Sequence, residues 1–192
     1  MGWMMSPAGL RDPKGLPFAL DNGMYHAPDC LPVGMKGLPH FYRMLERAIG
    51  WNPMFVTVPD VPYRADESRL LSRKHKQHIM AEFGEMPLAV AVQDGAIESD
   101  LDGYQWVFVG GSTDWKWSTA RWWSEAAKKR GMNVHIARVN THERIQHCID
   151  IGADSADGTG IWRGDRGQLA RVVAALTQEG LWGQRAGAVG VA

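Results

Sequence analysis

Two aspartates, Asp154 and Asp157, stand just before the glycines Gly158 and Gly160 in segment 149–162, which reads IDIGADSADGTGIW. This segment is predicted to end one helix and to add one very short strand. Enzymes with α/β folds place catalytic carboxylates at the carboxyl ends of their strands. A turn that favours Asp and Gly would account for the same residues, so the interpretation depends on the rest of the chain.

Short apolar segments alternate with amphipathic ones along the sequence, which predicts strands alternating with helices. The predicted strands lie at 18–22, 54–58, 88–92, 104–109, 133–139 and within 149–162. The predicted helices lie at 38–49, at 66–83 with Asp66 as its cap, up to Arg130 in a tryptophan-rich segment, at 141–151 with Thr141 as its cap, and at about 165–179. Such alternation is typical of a parallel sheet with helices outside it.

The predicted fold is α/β, of the (β/α)8 TIM-barrel type. Because 192 residues lie at the lower limit for eight units, we expect a reduced barrel. A doubly wound sheet is the alternative, but no strand is followed by a GxGxxG or GxxxxGK[ST] loop. We expect one domain over 1–180 with an irregular lead-in at 1–17 and an irregular loop at 26–37, followed by a flexible tail at 181–192.

Composition limits which ligands, metals and cellular locations the sequence predicts. The formal net charge is zero, so any nucleic-acid binding must come from local basic clusters. The two cysteines are far apart and have no metal-ligand spacing, which predicts neither a zinc site nor a disulfide framework. No apolar run approaches the length of a membrane span, and the amino terminus lacks signal-peptide features. We expect a cytoplasmic protein that does not bind membranes.

Acidic, amide or double-glycine residues follow nearly every predicted strand. These sets are Asp21-Asn22, Asp60, Gln93-Asp94, Gly110-Gly111 and the Asp154 to Gly158 segment. On a parallel barrel they would share one rim and surround one pocket. Carboxylates, an amide and open backbone in one pocket would suit a polar, planar substrate.

In order along 18–160, these segments resemble the tRNA-guanine transglycosylase superfamily. They read DNGMY, VPDVPY, VQDG, FVGGS and RVNT, followed by GADSADG. The chain is more similar to the short phage and bacterial DNA-guanine transglycosylases of the DpdA type. These enzymes exchange guanine in DNA for a 7-deazaguanine such as 7-cyano-7-deazaguanine. The resemblance implies DNA and the free base as binding partners and requires no cofactor or metal.

The resemblance also implies residue roles. Asp157 matches the nucleophilic aspartate, which would attack C1′ of the nucleoside and hold the sugar covalently. Asp21 matches the second catalytic aspartate, which would move a proton to or from the purine. Asp60 matches the carboxylate that accepts hydrogen bonds from the guanine edge. Asp154 is expected to support its own loop.

Base-recognition positions follow in the same way. Gln93 or Asp94, with the backbone at Gly110 and Gly111, match positions that contact the base. Asn22 replaces the family's serine, and Gln93-Asp94 replaces its paired glutamines, so base preference stays open.

The DNA contacts are the less specific part of the hypothesis. Four basic residues are candidates for phosphate contacts: Lys74, Lys76, Lys116 and Arg163. Each has a solvated surface as its alternative interpretation. We expect a homodimer or an accessory DNA-binding partner, and the accessory partner would supply the DNA contacts that a neutral chain lacks.

Three other functions remain open. The chain lacks the three-cysteine zinc site of the tRNA enzymes and has about half their length, which favours DNA, yet tRNA stays an alternative substrate. A catalytically silent barrel that binds bases or nucleic acid is a second alternative. A phosphate-handling barrel hydrolase is the third, although we find no metal-ligand cluster or anion-binding loop in the sequence.

Overall fold

The structure is a computed structural model that describes residues 2–26, 37–48 and 50–159, with the separate positions 167, 170, 171, 173 and 174. The strands are β1 Trp3–Met5, β2 Phe18–Leu20, β3 Val56–Thr57, β4 Leu88–Val92, β5 Trp106–Val109, β6 Asn133–Ile136 and β7 Ser155–Ala156. The helices are α1 Leu38–Ala48, α2 Ala65–Phe83, α3 Thr113–Lys129 and α4 His142–Asp150. Short 3-10 turns cover Pro7–Gly9, Met24–His26 and Glu98–Leu101.

The seven strands form one parallel sheet in the order of the sequence, from β1 to β7. A doubly wound sheet reverses its strand order at a switch point, and this sheet does not. The predicted parallel α/β fold is therefore confirmed, and the doubly wound alternative is wrong.

Strand residues alternate between two apolar cores. In β5, Val107 and Val109 pack in the main core, where the helices contact the sheet. The intervening Trp106 and Phe108 belong to a second cluster with Phe55. Because β5 is buried on both faces, its sequence is a continuous apolar run, which is typical of parallel sheets that are covered on both sides.

The sheet curls around this second cluster. Phe55 directly precedes β3, and His135 lies on β6, three strands away in the sheet, yet their ring centroids are 5.2 Å apart. In a flat sheet, strands that far apart would be separated by about 14 Å. The described strands therefore form a partial barrel of the TIM type, with β1 and β7 at its ends.

Two local expectations are wrong. Trp3–Met5 is strand β1, paired with Phe18–Leu20, although 1–17 was expected to be irregular. Helix α2 begins at Ala65 after the extended Arg64, so Asp66 lies in the first turn rather than at the cap. There its charge still complements the helix dipole.

Other expectations are met or fall outside the described residues. Thr141 caps α4 as predicted, since its side chain accepts from the Arg144 backbone N–H. The loop at 27–36, Arg163, most of the predicted helix at 165–179 and the tail at 181–192 lie outside the described residues. Within the described part of the chain, no helix has both the length and the apolar character that crossing a membrane requires.

Candidate functional site

Asp60 follows β3 at the carboxyl rim of the barrel and is held on both oxygens. Its Oδ1 accepts from Asn22 Nδ2 at 2.7 Å, and its Oδ2 accepts from Gln93 Nε2 at 2.6 Å. Asn22 also donates to the Val58 carbonyl at 2.8 Å, which joins the ends of β2 and β3. All three polar side chains are buried, so the carboxylate is fixed in one orientation.

The Gln93 amide has only one satisfactory orientation. Its Oε1 accepts from the backbone N–H groups of Gly111 at 2.7 Å and Tyr63 at 3.0 Å, so Nε2 must face Asp60. Gly110 leaves room for this amide, because a Cβ there would lie 2.8 Å from Gln93 Nε2. The double glycine thus packs under Gln93 and bonds to it.

Asp94 points to the next loop rather than to the floor of the pocket. Its carboxylate accepts from the Ser112 backbone N–H at 2.7 Å and from Ser112 Oγ at 2.5 Å. Ser112 precedes α3. Asp94 therefore braces the start of that helix, and Gln93 is the member of the predicted pair that faces Asp60.

Asp157 follows β7 on the inner face of the barrel. Its Oδ1 accepts from His135 Nε2 at 3.0 Å and from the Arg138 backbone N–H at 3.1 Å. Its Oδ2 accepts no hydrogen bond from the described residues, and the side chain is 28% exposed. One oxygen is fixed, and the other is available to a ligand.

The pKa values of the carboxylates are shifted in opposite directions. Burial, then the charges of Asp60 and Asp157, raise the pKa of Asp21 to about 7. Burial likewise raises the pKa of Asp60 to about 6, against the bonds from Asn22 and Gln93. Burial alone would raise the pKa of Asp157, but the hydrogen bond from His135 and the other donors and cations around it hold it below its usual range.

The charges of Asp60 and Asp157 both act on Asp21, which indicates that the three predicted carboxylates lie near one another at the rim; the space between them is called the cleft below. A pair of carboxyl groups whose pKa values differ in this way has one member protonated and one ionised near neutral pH. The shifts therefore favour a protonated Asp21 and an ionised Asp157 at about neutral pH.

Arg138 and two tyrosines lie at the mouth of this cleft. The guanidinium donates to the Gly111 carbonyl and, at 3.3 Å, to Tyr63 Oη. It lies 4.8 Å from the Tyr25 ring centroid and 5.8 Å from that of Tyr63. Both rings are exposed. A cation beside exposed aromatic rings is a surface that nucleotides favour.

Three of the four predicted phosphate contacts lie among the described residues. Lys116 is 1% exposed and donates to the Ala137 carbonyl, so its ammonium cannot reach a phosphate and that prediction is wrong. Lys76 donates to the Gly103 carbonyl and lies over the Tyr104 ring. Lys74 is exposed.

Asp154 lies apart from the cleft chemistry. Its Oδ2 accepts from the Val134 backbone N–H at 2.7 Å and from the Lys128 ammonium. It joins the start of β6 to the end of α3. The carboxylate therefore has the supporting role expected of it, although it supports these elements rather than its own loop.

Sequence analysis missed His135 and Arg138. His135 alternates with the buried Val134 and Ile136, so strand periodicity places it inside the barrel, beside β7, and could have identified it. Arg138 has φ +55, a left-handed conformation that no local pattern announced. Among the described residues, no three His, Cys, Asp or Glu side chains are grouped to hold a metal ion.

No protein-family model matches the chain, and no curated protein matches it. Among solved structures, a glycerophosphodiester phosphodiesterase from Parabacteroides distasonis is 12% identical with a TM-score of 0.41, over 85% of this chain and 58% of that one. The chain thus spans under two thirds of that structure. We infer nothing about activity from a likeness this distant.

Proposed function

We propose that this chain is a transglycosylase that exchanges guanine in DNA for a free 7-deazaguanine, such as 7-cyano-7-deazaguanine, in the cytoplasm. The observation that carries the proposal is the geometry of two carboxylates at the rim: Asp157 is held on Oδ1 alone, and Asp60 is held on both oxygens. The pKa of Asp21, which burial raises to about 7, supports it. The order of the strand-end segments supports the same family.

The reaction balances with these two residues. The free Oδ2 of Asp157 attacks C1′, a C–O bond forms and the C1′–N9 bond breaks. The departing guanine takes a proton from Asp21, which becomes a carboxylate. The incoming base then gives its N9 proton to Asp21, attacks C1′ and releases Asp157, so two inversions retain the configuration.

Asp60 and Gln93 are the groups we assign to the base. Guanine and its 7-deaza analogues present neighbouring N–H donors on one edge, and a carboxylate accepts such donors. Asp60 is fixed in place by Asn22 and Gln93. A preorganised acceptor binds a planar base without first having to be ordered.

DNA is preferred over tRNA on the resemblance, and a base inside a duplex must be flipped out to reach Asp157. Arg138 and the tyrosines at the mouth would contact the nucleotide strand. An accessory partner would add the positive charge that a neutral chain lacks.

The test is incubation with labelled guanine and either DNA or tRNA, followed by nucleoside analysis. We expect label in DNA, loss of exchange in Asp157→Asn and Asp21→Asn, and unchanged exchange in Asp102→Asn, whose carboxylate is 70% exposed. Label in tRNA alone would overturn the DNA assignment. Base binding that survives in Asp157→Ala, with no exchange by the unmodified protein, would instead identify a silent binding barrel.

A further inference from the structure

We propose that His135 is a positioning residue that fixes Oδ1 of Asp157 from inside the barrel and so aims Oδ2 at the substrate. This inference rests on the proposed role of Asp157 as nucleophile. Neither the resemblance nor the strand-end pattern assigns a role to His135.

The imidazole of His135 is buried against two aromatic rings. It is 3% exposed and stacks on Phe108, with ring centroids 4.9 Å apart and planes at 20°. Phe55 packs against it at 5.2 Å. Because these contacts restrict rotation of the ring, packing in the barrel core sets the direction of its Nε2.

Both ring nitrogens have partners. Nε2 is 3.0 Å from Asp157 Oδ1, and Nδ1 is 2.8 Å from Ser155 Oγ. An ionised carboxylate only accepts hydrogen bonds, so Nε2 carries a proton and donates. In the neutral imidazole, Nδ1 then accepts from the Ser155 hydroxyl, which fixes the tautomer that Asp157 needs.

The two donors to Asp157 come from one strand and the residues that follow it. His135 lies on β6, whereas the Arg138 backbone N–H lies just after it. Together they occupy Oδ1 and leave Oδ2 facing the cleft. Loss of one donor would let the carboxylate rotate, and a misplacement of about 1 Å costs about 100-fold in rate.

A hydrolase triad contains the same three residue types as Ser155, His135 and Asp157. In such a triad the serine is the nucleophile and lies where the substrate binds. Here Ser155 is two residues before Asp157 on the same face of β7, hence deeper in the barrel. The serine is therefore placed to orient the imidazole and not to attack a substrate.

Matched substitutions separate positioning from packing. His135→Gln places an amide N–H at about the reach of Nε2 and keeps the donor to Asp157. His135→Asn reaches only the position of Nδ1 and loses that donor, and His135→Leu loses both polar contacts. We expect kcat within about tenfold of the unmodified protein for Gln and about 100-fold lower for Asn and Leu, with the KM for the free base unchanged in all three.

A second measurement needs no turnover. Because the donor favours the ionised form, the pKa of Asp157 measured by carbon NMR should rise in His135→Leu and His135→Asn but not in His135→Gln. Thermal unfolding of each variant reports packing separately. Ser155→Ala should lower kcat by less than about tenfold.

The outcomes are distinct. An unchanged Asp157 pKa in His135→Leu, or equal kcat losses in Gln and Asn, would overturn the inference even if exchange is observed. Exchange absent in the unmodified protein, with the pKa pattern intact, would overturn the proposed function and leave the geometry of His135 standing. Loss of all activity in Ser155→Ala, with labelling of Ser155 by a fluorophosphonate, would identify a serine hydrolase and refute both.

Discussion

Replacing Asp21 with asparagine should stabilise the fold above neutral pH while abolishing exchange. The pKa of Asp21 is raised from 3.8 to about 7, first by burial and then by the charges of Asp60 and Asp157. A pKa difference of one corresponds to about 1.36 kcal/mol. Ionising Asp21 therefore costs the folded state up to about 4 kcal/mol.

The direction of this change in stability with pH follows from the linkage between protonation and folding. Below pH 3.8 the carboxyl group is protonated in both the folded and the unfolded chain. As the pH rises through about 7, the unfolded chain ionises first, so the stability that the protonated form provides is lost. The amide introduced by Asp21→Asn cannot ionise. The free energy of unfolding of this variant, relative to the unmodified protein, should therefore rise by about 4 kcal/mol between pH 4 and pH 8.

Urea unfolding at both pH values measures this difference directly. Asp102→Asn is the matched control, because it makes the same substitution at a carboxylate that is 70% exposed. A stability change that is the same at pH 4 and pH 8, or an Asp21→Asn variant that is less stable at pH 8, would refute the assignment of Asp21 as an acid whose pKa is raised in the folded state.

Three further substitutions test two residues of the site and one structural carboxylate outside it. Asp60→Asn removes a charge that raises the pKa of Asp21, so the alkaline limb of the kcat profile should move to lower pH at saturating base. Gly110→Ala places a Cβ 2.8 Å from Gln93 Nε2, and base titrations should show affinity weaker by about 10-fold to about 100-fold, because a hydrogen bond to a charged group contributes about 1.5–3 kcal/mol. Asp154→Asn should lower the free energy of unfolding by about 1–3 kcal/mol in urea titrations without changing exchange kinetics.

Most of the barrel was predictable because its strands are buried on both faces. Strand β4 has the predicted bounds, Leu88–Val92, since a continuous apolar run between turn residues leaves little choice. Strand β1 was missed because its three residues, Trp3–Met5, are too few to show a period. Its extended form depends on pairing with Phe18–Leu20, a tertiary contact that local sequence does not reveal.

The carboxylates were predictable for a topological reason. Parallel strands end at one rim, so Asp21, Asp60 and Asp157, which follow β2, β3 and β7, lie at the same edge of the curled sheet. The orientation of each side chain was not predictable in the same way. Asp94 and Lys116 turn to Ser112 and to the Ala137 carbonyl, partners fixed by the packing of α3 against the sheet.

The central claim is that Asp157 forms a covalent bond to the sugar of the target nucleotide. The most direct test incubates the protein with a guanine-containing oligonucleotide in the absence of incoming base and then quenches the reaction. Peptide mass spectrometry locates any adduct. We predict a sugar-linked adduct on Asp157 that disappears when free 7-deazaguanine is added and is absent from Asp157→Asn. An adduct that persists in Asp157→Asn, or exchange that proceeds with no adduct on Asp157, would contradict the account.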